Sequence, residues 1–281
     1  MRLPTNHDDA SSANRRQGWQ EHTWRTRVSH SRALWWRAAM TAILTTVVLL
    51  VLWQLWVACG SISPRVLSSP SQIVESTVDS WSTLLPATFI TAYEGIFGFI
   101  IAAIVGIALG IAMFYWRSVH DAAYPLLAIA QTVPLITIAP LFIIWFGFEP
   151  IGKVVITAVF AIFPITVQTY RGMMAVPRFY EDVALTCGAT PWWTLWHVTL
   201  RVASRQIFSG MRISAAYVFS TAATAEYLGA RNGLGIWLQA AFNSFRTPLI
   251  FSATLVIAVL TAILLGLISV IERLSIGSCD E

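Results

Sequence analysis

The chain has 281 residues, of which 56% are apolar and 11% charged, against roughly 45–50% and 25% in an average soluble domain. Mean hydropathy is +0.66. Such a composition excludes a disordered chain and a water-soluble enzyme. At about 20 apolar residues per crossing, the length accommodates six membrane spans and no second large soluble domain.

Lys and Arg number 18 against 14 Asp and Glu, a net charge of +4. The excess does not call for nucleic acid as a partner, because membrane proteins concentrate cations in their cytoplasmic loops. Cys59, Cys187 and Cys279 are far apart and odd in number, so they form neither a disulfide framework nor a CxxC metal pair. His7, His22, His30, His120 and His197 lack the spacing of metal ligands.

Residues 1–34 are polar and Arg-rich with no periodic apolar face, and read as a disordered basic tail. The expected transmembrane domain runs over 35–274, followed by a short tail at 275–281. Its apolar runs are Ala38–Ala58, Ala87–Tyr115, Tyr124–Gly147, Val154–Tyr170, Ile207–Leu228 and Leu249–Ile271. All are long enough for spanning helices. Trp35, Trp36, Trp53 and Trp56 bracket the first run as an interfacial belt would. Gly95, Gly98, Gly106 and Gly110 stud the second, where small residues let helices approach closely.

Orientation follows from the cations. With the N-terminus cytoplasmic, Arg117, Arg171, Arg178, Arg201, Arg205, Arg212, Arg273 and the arginines up to Arg37 lie inside. Only Arg65, Lys153, Arg231 and Arg246 then lie outside. Both termini are cytoplasmic, which an even number of spans satisfies.

Pro125, Pro134, Pro140 and Pro164 fall within or at the edges of spans three and four. Each removes an intrahelical hydrogen bond, and the freed carbonyl needs another partner in lipid. Either these are harmless kinks or they bend helices that line a path. Gln131, Thr132, Thr137, Thr166 and Gln168 lie near the breaks and favour a path.

Residues 171–206 form the longest internal cytoplasmic loop and read as two helices. Pro177 suits a first helical turn and Gly188 the left-handed stop. Thr190 is then an N-cap and Pro191 the first residue of the next helix. A short helix projecting between spans either rests on the membrane surface or docks into a groove of another protein.

The loop resembles the coupling loop of ABC importer permeases, whose pattern is Glu-Ala-Ala-x3-Gly. Counting back from Gly188 places Asp182 at the Glu position and Val183 and Ala184 at the two Ala positions. Downstream, Leu200-Arg201-x3-Arg205-x-Ile207-x2-Gly210-Met211-Arg212 is similar to Leu-Pro-x3-Pro-x-Ile-x2-Gly-Leu-Arg, with both prolines replaced by Arg. The second helix is therefore expected to run less broken than the pattern implies. Ala139-Pro140-Leu141 with Trp145-Phe146-Gly147, Ala225 to Ala230, and Gly233-Leu234-Gly235 resemble the nitrate/sulfonate/taurine-type branch. Within it, Tyr93-Glu94-Gly95 carries Glu where many members carry Arg, and is similar to permeases for thiamine-pyrimidine precursors and related heterocycles.

The resemblance implies an all-α, polytopic protein with about six transmembrane helices and the type I ABC importer permease fold, in a bacterial cell membrane. It implies a second permease copy or paralogue, a cytoplasmic ATPase dimer that binds ATP and Mg, and an external solute-binding protein. No cofactor is implied for this chain. Glu181, Asp182, Ala184, Gly188 and Ala189 would contact the ATPase. Glu94, Gln131, Pro134, Pro140, Gln168 and Glu226 are candidates for a path or gate.

Gly147 to Lys153 spells GxxxxGK, but Val154 stands where a phosphate loop needs Ser or Thr, so nucleotide binding is not expected here. Glu94 and Glu226 are the acids closest to apolar spans, and an acid there points to function by default. For Glu226 the structural alternative is a contact with a loop cation such as Arg231. For Glu94 it is helix packing. Two other classes compete with a transport subunit. A stand-alone secondary transporter would be expected to show inverted repeats. An intramembrane enzyme would need a catalytic dyad on adjacent spans. Neither feature is visible.

Overall fold

A computed structural model describes residues 40–60 other than 42, residue 63, and residues 66–276. The expected N-terminal tail, the Trp35–Trp36 half of the aromatic bracket, Arg65 and most of the C-terminal tail lie outside the described residues. Residues 1–62 form one unit and residues 63–281 another. The described part of the first is an apolar helix, α1 (Ile43–Cys59).

The second unit is helical throughout its described residues. Its first helix, α2 (Pro70–Asp79), opens on a capping box: Gln72 N donates to Ser69 Oγ, and Ser69 N donates to the Gln72 side chain at 3.1 Å. The long helices α3 (Trp81–Tyr115) and α6 (Pro150–Met174) pack along much of their length. The glycine-studded face of α3 explains why. A Cβ on Gly98 would stand 2.8 Å from Thr157, and one on Gly110 would stand 2.6 Å from Thr169. No side chain fits there, so the two backbones meet directly.

Helix α9 (Leu200–Gly229) completes this core against α6 and α11 (Thr247–Ile276). Phe99, Ala102, Ile165, Val218, Phe219 and Ile268 are buried where the four helices meet. An ion pair from Arg212, midway along α9, to Glu272 joins it to the last turns of α11. Thr77 donates to Ser252 at 2.8 Å and ties α2 to the other end of α11.

The third apolar run is not one span. It forms α4 (Arg117–Thr132) and α5 (Leu135–Phe146), bent by 103°. Pro134 is the cause. It lacks an N–H, and it holds Val133 extended at φ −77°, ψ 121°. The other prolines are absorbed within helices. At Pro164 the freed carbonyl is that of Phe160, and the Tyr217 hydroxyl of α9 donates to it at 3.3 Å. Ser214 donates to the next carbonyl, Ala161, at 2.8 Å. This proline is accommodated by a neighbouring helix, as lipid-buried backbone requires.

By length and apolarity α3, α6 and α11 can each cross a membrane, and the bent α4–α5 pair adds at most a fourth span. The count of six is reached only if α1 and α9 are included. Helix α9 has 30 residues, but Arg201, Arg205, Arg212 and Glu226 dilute its apolar run. Two helices escape the span reading altogether: the short α2, and α10 (Leu234–Asn243) between α9 and α11.

Candidate functional site

Two places concentrate unusual chemistry, at opposite ends of α9. The first is the segment between α6 and α9. Helix α7 (Arg178–Thr186) starts one residue after Pro177, which caps it rather than lying in its first turn. Gly188 takes φ +89°, a region costly for any residue with a Cβ. Gly188 N then donates to Leu185 O and Ala189 N to Ala184 O, both at 3.0 Å. This pair of bonds is a Schellman turn and satisfies the last carbonyls of α7.

Thr190 caps the next helix, accepting from Trp193 N at 3.3 Å, and Pro191 opens it. That helix, α8 (Pro191–Thr194), passes through a π turn at Leu195–Thr199 into α9. The backbone runs on through Arg201 and Arg205 without a break, as expected from the absence of proline.

Between α7 and α8 lies an open cavity of about 660 Å³, lined among others by Phe179, Tyr180, Val183, Gly188 and Trp193. Phe179 is 70% exposed and Trp192 69%. Of the residues singled out in sequence, Asp182 and Gly188 lie on the surface, and Ala184 and Ala189 are half-buried at the cavity. Glu181 faces inward instead: the Thr199 hydroxyl donates to it at 2.8 Å, joining α7 to the π turn.

The second place joins α3, α6, α9 and the start of α10. Glu226 is fully buried. The Thr91 hydroxyl donates to its Oε1 at 2.6 Å, and Gly235 N donates to its Oε2 at 2.6 Å. Leu234 N in turn donates to Thr91 Oγ1 at 2.9 Å. The carboxylate therefore sits on the N-terminus of α10, where free N–H groups and the helix dipole favour negative charge. Gly233 has φ +117°, and a Cβ there would lie 2.4 Å from the Glu226 carboxyl. At Gly235 a Cβ would meet Ala223 O at 2.1 Å. The Gly-Leu-Gly sequence is thus the shape that lets backbone wrap a carboxylate, with Leu234 buried against Leu84 and Ala87. The contact envisaged with Arg231 is not what holds Glu226; Arg231 is exposed.

Glu94, only 1% exposed, faces Glu226 within hydrogen-bonding range. No donor reaches its Oε2. Lys153 lies within electrostatic reach of both acids and is 3% exposed. Its ammonium donates to the carbonyls of Phe148 at 2.5 Å and Glu149 at 3.0 Å. Glu94 also lines a cavity of about 280 Å³ between the α5–α6 and α9–α10 turns.

The remaining path candidates do not join this cluster. Gln168 accepts from Gln206 Nε2 at 2.6 Å. Gln131, Pro134 and Pro140 lie on exposed faces of α4 and α5. Thr91 and Lys153 belong to the cluster although the sequence pattern does not single them out for it. Both carry a signal: Thr91 is one helical turn before Glu94 on the same face. Glu149-Pro150 is a helix start that draws Lys153 into α6 rather than a loop. The GxxxxGK stretch is correspondingly a helix end, a turn and a helix start, with no strand before it.

Residues 102–275 match the family described as binding-protein-dependent transport system inner membrane component. The chain is 33% identical over 226 residues to the formylaminopyrimidine transport permease protein ThiX of Halalkalibacterium halodurans, covering 79% of this chain and 89% of that one. It is 32% identical to the riboflavin transport system permease protein RibX of Chloroflexus aurantiacus, covering 82% and 87%. Its fold is similar to that of an inward-facing MetNI methionine ABC transporter, with a TM-score of 0.60 over 70% of this chain and 98% of the other at 15% identity. These matches set aside the secondary-transporter and enzyme readings: the chain belongs to the binding-protein-dependent transport system inner membrane components, and is a multi-pass ABC permease subunit rather than an enzyme.

Proposed function

We propose that the chain forms the membrane path of an ATP-driven importer for a small heterocyclic solute handed over by an external binding protein. The α7–α8 segment is where the motor engages. The supporting observation is the open apolar cavity beside the Schellman turn, with aromatic side chains exposed around it. Exposed aromatics around a concave site are what a protein partner covers. A cytoplasmic ATPase dimer fills that role, and ATP and Mg are held there rather than on this chain. Asp182, Ala184, Gly188 and Ala189 form the contact, while Glu181 holds α7 against Thr199 from behind.

The arginine distribution supports a cytoplasmic position for both termini and this segment. The Glu94 end then faces outward, where the binding protein delivers its load. A second copy or a paralogue completes the path. The heterocycle reading draws support from the two relatives named for formylaminopyrimidine and riboflavin transport. Nitrate, alkanesulfonates or the zwitterion taurine are the second reading, and the acids of the outer cluster disfavour the anions among them.

The test is Gly188→Asp in the assembled transporter. It should abolish ATP-dependent uptake and detach ATP hydrolysis from solute. Solute-stimulated hydrolysis at the wild-type level would falsify the docking assignment.

A further inference from the structure

The cavity above Glu94 has no role in motor docking or in holding α10. We propose that it is a subsite for a hydrogen-bond donor of the solute, an amino group on a small heterocycle, and that Glu94 receives it. This deepens the importer reading and rests on it. The cavity measures about 280 Å³, near the lower end of the roughly 300–1,000 Å³ usual for ligand sites. It therefore holds one small ring or one end of a larger molecule. Ile90 and Glu94 of α3 form one wall, Glu149 and Pro150 at the start of α6 a second, and Arg231 and Asn232 of the α9–α10 turn a third.

The acceptor is unfilled for identifiable reasons. The donors at hand bond elsewhere: Thr91 and Gly235 serve Glu226, and Lys153 directs two of its three N–H groups to the carbonyls of Phe148 and Glu149, while none reaches Glu94 Oε2. A proton shared with the facing carboxyl of Glu226 occupies at most one oxygen of Glu94, and its Oε2 has no partner although a carboxyl group has several acceptor lone pairs. A buried acceptor in this state is a demand for a donor. An amino N–H entering from the cavity meets it. A nitrate or sulfonate would instead bring negative charge against Glu94 and Glu149, with Arg231 as the opposing group at the rim. The subsite thus discriminates by repulsion as well as by attraction.

The experiment uses the full-length chain in lipid nanodiscs with 4-aminopyrimidine as probe, methanesulfonate as anionic control and empty nanodiscs as background. Saturation-transfer NMR should show 4-aminopyrimidine contacting the wild type. The signal should fall at least fivefold in Glu94→Gln, which puts an amide with two N–H groups where the carboxyl offers an unpartnered acceptor oxygen. Because that change alters a buried pair, Ala230→Phe is the second variant. It fills the cavity while leaving both carboxyl groups in the chain, and should remove the signal without unfolding the protein, as its melting curve would report. No probe signal in the wild type, an equal signal in all three proteins, or a stronger signal from methanesulfonate would each overturn the subsite. ATP-dependent uptake of labelled formylaminopyrimidine by the assembled transporter is measured alongside. Uptake without a Glu94-dependent probe signal sinks the subsite alone; absence of ATP-dependent uptake sinks the importer reading.

Discussion

Replacing Glu226 by Ala removes both acceptors on which the start of α10 rests. The Gly235 N–H, bonded to the carboxylate at 2.6 Å, is left buried without a partner, while the Thr91 hydroxyl loses a 2.6 Å bond and keeps its 3.3 Å bond to Ala87 O. The orphaned N–H costs about 1–3 kcal/mol and the lost Thr91 bond about 0.5–1.5 kcal/mol. The favourable placement of negative charge at a helix N-terminus, about 0.3–1 kcal/mol, goes with them. Removing one of two facing carboxyls relieves some repulsion from Glu94, so the net cost is on the order of 1–5 kcal/mol. At about 2–4 °C per kcal/mol for a chain of this size class, the thermal midpoint should fall by at least about 2 °C. The assay is tryptophan-fluorescence melting of purified protein in one detergent. Arg231→Ala, melted in parallel, should match the wild type. Glu226→Ala melting with the wild type, or Arg231→Ala melting as low as Glu226→Ala, would show that the carboxylate does not hold α10 in the way described.

Three further outcomes follow from the packing. Gly110→Val places a Cβ 2.6 Å from Thr169 and should force α3 from α6. Overpacking of this kind costs about 1–3 kcal/mol, and a melt above the wild type would contradict direct backbone contact there. Arg212→Ala leaves Glu272 without its ion-pair partner. A double-mutant cycle with Glu272→Ala should return a coupling of about 0.5–3 kcal/mol, and a zero coupling in low salt would deny the pair a structural role. Tyr217→Phe strips the Phe160 carbonyl of its donor beside Pro164. It should cost about 1 kcal/mol, and Tyr217→Phe combined with Pro164→Ala should cost less than Tyr217→Phe alone, because Ala restores an N–H to that carbonyl.

Legibility in the amino-acid sequence depends on whether the signal is local. The Gly188 stop, the Thr190 cap and the Pro191 start lie within four residues of one another, and local sterics set their turn chemistry. All three can be placed from the sequence alone. The glycine face of α3 is equally legible, because a repeated small residue on one side of a helix has few other uses in a membrane. Pro134 is legible as a possible break, but not as the one of four prolines that becomes a sharp bend. That distinction belongs to neighbours: Tyr217 rescues Phe160 across α9, and no pattern near Pro164 announces it. Glu226 shows the same limit. Its partners, Thr91 and Gly235, are 135 and nine residues away. In sequence the nearest opposite charge is Arg231, and proximity along the chain points to the wrong partner. Glu181 and Asp182 are adjacent, yet only the fold shows that one is turned toward Thr199 and the other toward solvent.

The π turn at Leu195–Thr199 leaves α8 and α9 on one unbroken ladder from Pro191 to Gly229. At 1.5 Å per residue that rod is roughly 60 Å long, about twice the thickness of a bilayer's hydrocarbon core. One of its ends carries the exposed tryptophans beside Gly188, and the other ends three residues past Glu226. A push on Trp192 therefore has two places to go. Either the π turn, where the ladder leaves its regular i→i+4 register, absorbs it, or the rod pivots as a beam and lifts the carboxylate from the mouth of α10. If the α7–α8 segment receives a motor as proposed, the stiffness of these five residues sets how much of its stroke reaches Glu226.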